Sequence, residues 1–405
     1  MTGPGETAQT HTLPIFPWMR EPSVAAVMAA LSGAGGTPCF VGGCVRDAIL
    51  GRDIHDIDIA TVLLPAQVQD ALTAASIKFV SPGFDHGTIT AVFPDRVIEV
   101  TTLRRDVATD GRHAQVAYTD DWREDAMRRD FTMNALFLSG DGLLVDYTGG
   151  LADAKAGRVR FVGSATDRIQ EDFLRILRFF RFLAHYGKGD PDPEALDACR
   201  INAPGLENLS GERLAKEFFR LLEAPDPVPA LRLMEEAGCL HPFGVGPFGI
   251  ERLTGLPAAT QDDAELRFMA LLSDDPAIAG AAFDRLKLSN AITRRIVAAR
   301  DGFRLDGPAI ESQLYRNGAR AVLDSALLQQ AGGHVEAGVG AAIDRARNWD
   351  APVFPIRGQD LLDSGMSPGP DVGAILGETE DWWIERKFEP GRDACLKNAL
   401  DRIRR

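Results

Sequence analysis

The sequence predicts an α+β fold, with a small mixed sheet and its helices before Gly150 and an all-helical chain after it. Three observations predict this. Short β-rich runs bounded by glycine, proline and aspartate recur between Pro38 and Tyr147. Beyond Gly150 strand signals nearly vanish, and apolar residues recur at helical spacing. The chain has 405 residues, 45% hydrophobic and 25% charged, which is enough for two or more domains with their own cores. The expected divisions are a loose lead-in over 1–25, a sheet-bearing head over 26–150, and helical segments over 151–230, 231–350 and 351–405.

Taken in order, residues 1–20 are rich in Gly, Thr and Pro and read as unstructured. Pro22–Leu31 reads as a helix that ends in a Gly-rich turn. Pro38–Val41 is a strand leading into Gly42-Gly43. A short helical piece carries Arg46 and Asp47. The next strand sets Ile54, Ile57 and Ile59 around Asp56 and Asp58. Pro65–Ala75 is a helix with proline in its first turn. Lys78–Val80 is a short strand, and Thr88–Phe93 and Arg96–Thr102 form a hairpin about Pro94-Asp95. Arg104–Glu124 has no apolar period and reads as a long polar loop. Arg128 and Arg129 stand just before a helix or strand start, and Leu143–Tyr147 is the last strand.

In the helical part, Arg168–Ala184 reads as one helix. Asp172, Arg175, Arg178 and Arg181 recur every three residues as a charged seam in an otherwise apolar surface. The seam is either the wall of a cleft or a plain Asp172–Arg175 salt bridge with solvated arginines. Ser210 is the expected N-cap of the next helix, whose Glu212 and Arg213 either cap it or brace the seam. Further helices are expected at about 228–238, 264–273, 279–287, 291–302, 308–315, 318–331 and from Asp371 to about Glu378.

The net charge of −14 argues against a protein that merely coats nucleic acid. Two basic islands run against that average, at Asp284–Arg300 and Arg386–Arg405. They are either RNA-contact surfaces or solvated helix faces. The five cysteines form no Cys-x-x-Cys pair, which argues against a zinc site or a disulfide framework. The apolar run Val24–Leu31 is too short to span a bilayer, so a soluble, cytoplasmic protein with no membrane partner is expected.

The chemistry concentrates in Phe40–Thr61. Glycines at 42 and 43 let backbone N–H groups approach a phosphate. Asp56 and Asp58, two apart on a strand, point the same way and repel unless a cation lies between them. Glu99, in the run Val97–Thr102, is either a third metal-facing carboxylate or the partner of Arg104 or Arg105.

Four segments coincide in order: Gly42 to Asp58, Arg128-Arg129-Asp130-Phe131-Thr132-Met133-Asn134-Ala135, Glu171-Asp172-Phe173-Leu174-Arg175, and Ser210-Gly211-Glu212-Arg213. Together they resemble the class II (bacterial-type) CCA-adding tRNA nucleotidyltransferases and poly(A) polymerases. The likeness is strong from residue 38 to about 225, with a further match at Gly358–Ile375. It implies a catalytic head, then an elongated helical neck, body and tRNA-binding tail. It implies Asp56 and Asp58 as catalytic metal ligands for Mg2+. Gly42, Gly43, Arg46, Asp47, Arg128, Arg129 and Asn134 would bind the nucleotide. Asp172 and Arg175 would face the base, with Arg178 and Arg181 nearby, and Asp110-Gly111-Arg112-His113 would be a mobile loop. The implied partners are tRNA, ATP and CTP. The stretch Ser81–Thr88 looks like the CCA-adding type, not the Gly-Arg-Arg-Phe-like signature of poly(A) polymerases. A poly(A) polymerase, an A-only or C-only relative, and a catalytically silent RNA-binding protein remain the alternative readings.

Overall fold

The computed structural model describes residues 8–109, 114–300, 309–333 and 338–403. The chain divides into two compact units, Met1–Pro242 and Phe243–Arg405.

The first unit carries all the strands of the main sheet. In chain order they are β1 (Gln9–Thr12), β2 (Cys39–Val41), β3 (Ile57–Thr61), β4 (Phe79–Val80), β5 (Thr88–Val92) and β6 (Val97–Thr102). A separate ribbon, β7 (Arg104–Thr109) and β8 (Ala114–Tyr118), follows, and β9 (Leu136–Ser139) and β10 (Leu143–Asp146) return to the sheet. Its order is β1-β10-β9-β2-β3-β6-β5-β4. Every pairing is antiparallel except β3 with β6, which places Asp58 opposite Glu99. Side chains alternate across the strands. Phe40, Ile59 and Leu138 enter one core with Leu31 and Leu72. Val41, Ala60 and Phe137 enter a second core on the other face. The sheet is thus buried on both sides, and Asp58 shares its face with Ala60.

The helices of this unit are α1 (Pro22–Gly33), α2 (Gly43–Ile49), α3 (Pro65–Ala74), α4 (Trp122–Met127) and α5 (Gly150–Ala156). They continue with α6 (Ala165–Glu171), α7 (Leu174–Tyr186), α8 (Pro193–Asn202), α9 (Gly211–Leu222) and α10 (Val228–Glu236). Proline occupies the first turn of α1 and of α3, where its missing N–H has no partner to lose.

Several sequence expectations need correction. Residues 9–20 are not a loose lead-in: β1 pairs with β10, and Trp18 meets the Phe40 ring edge-on at 4.7 Å. The strand bearing the aspartates starts at Ile57, because β6 flanks the chain only from there and β2 joins only at Ile59. Asp56 stands just before it, exposed. The polar stretch after Arg104 is the β7–β8 ribbon followed by α4. A two-stranded ribbon outside the main sheet closes its hydrogen bonds on itself without an apolar period. The helix expected over Arg168–Ala184 is two helices. Asp172 is extended (φ −156°, ψ 107°), and its Oδ1 accepts from the Leu174 N–H at 3.1 Å. An aspartate that bonds its own backbone competes with the helix and starts a new one. Ser210 stands at the N-cap of α9 without a side-chain capping bond.

The second unit is helical: α11 (Gly249–Gly255), α12 (Ala264–Leu271), α13 (Pro276–Leu286), α14 (Asn290–Arg300), α15 (Ala309–Asn317) and α16 (Ala319–Ala331). Then come α17 (Val339–Arg347), α18 (Gly358–Asp363), α19 (Pro370–Glu385) and α20 (Arg392–Ile403). The helix expected to stop near Glu378 continues to Glu385, because Trp383 and Ile384 bury in a core with Ile356, Leu361 and Cys395. In the first basic island Arg295 faces inward. It binds fully buried Asp324 at 2.8 Å, Asp263 at 2.6 Å and Glu265 at 2.6 Å. Arg300 donates to the Leu272 and Ser273 carbonyls just beyond α12. Lys287 and Arg294 remain exposed there, as do Arg386, Lys387 and Lys397 in the second island. No helix among the described residues is long and apolar enough to cross a membrane.

Candidate active site

The glycine turn and the aspartate strand meet as the spacing predicts. Gly42 has φ +75° and ψ −130°, a conformation closed to residues with a Cβ. A Cβ built there would stand 3.6 Å from Asp58 Oδ2 and 3.9 Å from Arg129 Nη1. A small cradle therefore lies between the start of α2, a carboxylate and a guanidinium. Burial, then the neighbouring Glu99, pushes the Asp58 carboxyl up to about 6; Arg129 opposes this and Asp56 adds to it. Such a surplus of negative charge suits a divalent cation, and carboxylate oxygens suit Mg2+. Among the described residues, however, no group of three His, Cys, Asp or Glu side chains is gathered in metal-holding geometry. Glu99 stands opposite Asp58 across the parallel β3–β6 pair, and among the described residues it forms no ion pair with Arg104 or Arg105. Arg104 donates instead to the His86 carbonyl.

The sequence reading places Arg46 on the triphosphate; in the structure its Nη2 lies 3.6 Å from the position a Cβ on Gly43 would take, and its side chain is held by partners of its own. Arg46 is buried, binds Asp47 through two nitrogens at 2.9 and 2.8 Å, and reaches Asn134 Oδ1 at 2.6 Å. It also donates to the Tyr186 hydroxyl at 2.7 Å and lies over that ring at 4.2 Å. Asp47 and Asn134 are thus engaged with Arg46 inside the protein. From Asn134 the bonds run on to Asp130 at 3.0 Å, and from Asp130 to Arg178. Glu217 on α9 takes Arg181 at 2.7 Å. Arg178 and Arg181 therefore tie α7 to the head and to α9.

Asp130 is the acid at the centre of this chain. Burial alone would raise its carboxyl, but Arg178, Asn134 and the Phe131 N–H outweigh burial and lower it from 3.8 to about 2. A depressed carboxyl stabilises the fold fully above its unfolded value and loses that contribution as pH falls through the folded one. The Asp130 share, about 2 kcal/mol, should be present above about pH 4 and fade toward about pH 2. Asp130→Asn should lower the melting temperature at neutral pH, with the gap to the parent narrowing through that acid window. Thermal melts at stepped pH check this; a gap independent of pH contradicts it.

The side chains of Asp172 and Arg175 do not pair with each other; the Arg175 backbone N–H donates to the Asp172 carbonyl at 3.0 Å. Asp172 Oδ2 takes Arg213 at 2.7 Å, and Arg175 takes Glu171 at 2.5 Å and the Arg168 carbonyl at 2.8 Å. The simple Asp172–Arg175 salt bridge is therefore absent, and Arg213 braces the seam rather than capping its own helix. Arg175 also approaches the Arg128 carbonyl at 3.4 Å, which joins the seam to the Arg128–Arg129 pair. Both of those arginines lie between the end of α4 and the short 3-10 helix Thr132–Asn134, and both bind Asp125 at 2.7 Å. The sequence assigned no separate role to Asp125, Asp130, Glu171, Tyr186 or Glu217. Asp125 falls inside the same i, i+3 and i, i+4 spacing as the arginines it holds, and that spacing was a usable signal. The loop Asp110–His113 lies outside the described residues.

A glycine turn set against strand-borne carboxylates, in a mixed sheet followed by helices, defines a nucleotidyltransferase of the poly(A) polymerase class. Residues 39–160 match the family described as Poly A polymerase head domain. Residues 190–244 match that described as Probable RNA and SrmB- binding site of polymerase A. The chain is 36% identical over 379 residues to CCA tRNA nucleotidyltransferase 1, mitochondrial, of Danio rerio, covering 88% of this chain and 85% of that protein. It is 31% identical over 391 residues to the CCA-adding enzyme of Latilactobacillus sakei, covering 92% and 96%. The crystal structure of the Bacillus stearothermophilus CCA-adding enzyme in complex with CTP matches with a TM-score of 0.78 at 25% identity, over 96% of this chain and 98% of that one. The chain belongs to the family of CCA-adding tRNA nucleotidyltransferases.

Proposed function

We propose that this enzyme adds C, C and A to the 3′ end of tRNA from CTP and ATP, without a nucleic-acid template, by two-metal nucleotidyl transfer. The observation that carries this reading is the cradle of Gly42, Asp58 and Arg129. A backbone without a Cβ admits a phosphate, Arg129 offers a cation to it, and Asp58 supplies the carboxylate that chemistry at phosphorus needs. Asp56 and Asp58 would hold divalent cations such as Mg2+, which when bound supply Lewis acidity to the incoming 3′-hydroxyl and the leaving pyrophosphate. Gly42 and Gly43 leave room for the triphosphate, and Arg129 balances its charge. Arg46, Asp47 and Asn134 act from behind by fixing α2, and Arg178 and Arg181 by fixing α7.

Asp172 and Arg175 supply base choice. Cytosine and adenine each carry an amino donor beside a ring-nitrogen acceptor. Asp172 can accept from the amino group, because a carboxylate has capacity beyond its bonds to Leu174 and Arg213. Arg175 can donate to the ring. Uracil and guanine would set a carbonyl against the carboxylate. That both relatives above are named for CCA addition supports this reading over a poly(A) polymerase. Equilibrium binding of the four nucleoside triphosphates tests it: CTP and ATP should bind and UTP and GTP should not. Equal binding of all four contradicts it.

The tRNA is held mainly through its backbone. The match of 190–244 to an RNA-binding family supports contact in the first unit, and the exposed cations Lys287, Arg294, Lys387 and Lys397 support contact in the second. The logarithm of Kd for tRNA should rise with that of salt concentration, with a slope of roughly four. A filter-binding salt series measures it, and a flat line contradicts the assignment.

A further inference from the structure

Asp125 lies on α4 with its side chain 1% exposed, and three parts of the site converge on it. Its Oδ2 accepts from Arg129 Nε at 3.1 Å and Nη2 at 2.7 Å. Its Oδ1 accepts from Arg128 Nε at 2.8 Å and from the Arg104 backbone N–H at 3.3 Å. Arg104 opens β7, so this one carboxylate holds the base of the ribbon together with both arginines. The nitrogen of Arg129 that Asp125 leaves alone is Nη1, the atom beside the position a Cβ on Gly42 would take. The Phe137 ring, 5.4 Å from the same guanidinium, backs it. A guanidinium gripped along one edge and backed by a ring has little rotamer freedom left to lose when a ligand arrives. Burial favours the neutral form of Asp125, but Arg129 and Arg128 outweigh burial and hold the carboxyl below its usual range. The grip therefore stays ionic.

We propose that Asp125 is a positioning residue for nucleotidyl transfer: it aims Arg129 Nη1 at the triphosphate and couples that aim to the base of the β7–β8 ribbon. This rests on the cradle being the nucleotide site. An ion-paired hydrogen bond that sets a charged group in place commonly contributes a factor of ten or more to binding.

The test uses the full-length enzyme, CTP and tRNA lacking its 3′ end. Asp125→Asn should raise KM for CTP by about tenfold, with a smaller change in kcat. Because Asp125 acts through Arg129, the double variant Asp125→Asn/Arg129→Ala should be no worse in KM than Arg129→Ala alone. Additive losses, or an unchanged KM in Asp125→Asn, overturn the proposal. If Asp125→Asn does not fold, Arg129→Lys decides: lysine keeps the charge but cannot be gripped along an edge, so KM should rise. An unchanged KM in Arg129→Lys overturns the proposal. Parent enzyme that fails to bind CTP overturns the nucleotide-site reading and this proposal with it. Parent that binds CTP, with Asp125→Asn binding as tightly, overturns this proposal alone.

Discussion

Asp58→Ala, and separately Asp56→Ala, should abolish incorporation of both CMP and AMP, by roughly 10³-fold or more, while tRNA stays bound. On the proposed reading the two carboxylates hold the metal ions, and both nucleotides would pass through the same cradle. Loss of C and A addition should therefore be equal. Stability should move the other way for Asp58. Its carboxyl is raised to about 6, so ionisation near neutral pH works against folding. Asp58→Asn should thus keep or raise the melting temperature while losing turnover. Rapid-quench assays beside thermal melts measure both. Near-normal turnover in either variant would remove the metal assignment.

The second large effect concerns fidelity. Asp172→Ala should raise incorporation of UMP and GMP relative to CMP and AMP by about one to two orders of magnitude, since a lost directional base contact is worth roughly 1–3 kcal/mol of discrimination. Arg175→Ala should do the same and also weaken nucleotide affinity, because it removes a charged donor. The structure adds a control. Arg213 holds Asp172 from α9 at 2.7 Å. Were Asp172 only half of a structural ion pair, Asp172→Ala and Arg213→Ala would lower the melting temperature alike and leave the nucleotide ratio unchanged. Measuring that ratio and the melting temperature on the same samples separates the two cases.

The pattern of strands and helices was largely legible in the sequence, because burial on both faces of the sheet writes short apolar runs and α1 and α3 carry proline in their first turns. The meeting of Gly42 with Asp58 was legible too, since a short helix between two adjacent strands leaves little freedom in how they return. What stayed hidden depends on partners distant in sequence. The partners that hold Arg46, Asn134 and Tyr186, lie 88 and 140 positions away. Arg295 counts toward a basic island until Asp263 and Asp324 are folded against it. The break at Asp172 was masked because the apolar pattern runs through it without interruption. The β7–β8 ribbon was masked for the opposite reason: it has no apolar period to show.

The central claim is that one cradle and one Asp–Arg pair write a defined sequence without a template. The most direct measurement supplies all four nucleoside triphosphates together to tRNA lacking its 3′ end and sequences the product termini. The account predicts tRNA ending in CCA and nothing longer. A run of A's, termini that stop at C, A added alone, or no extension at all would contradict it.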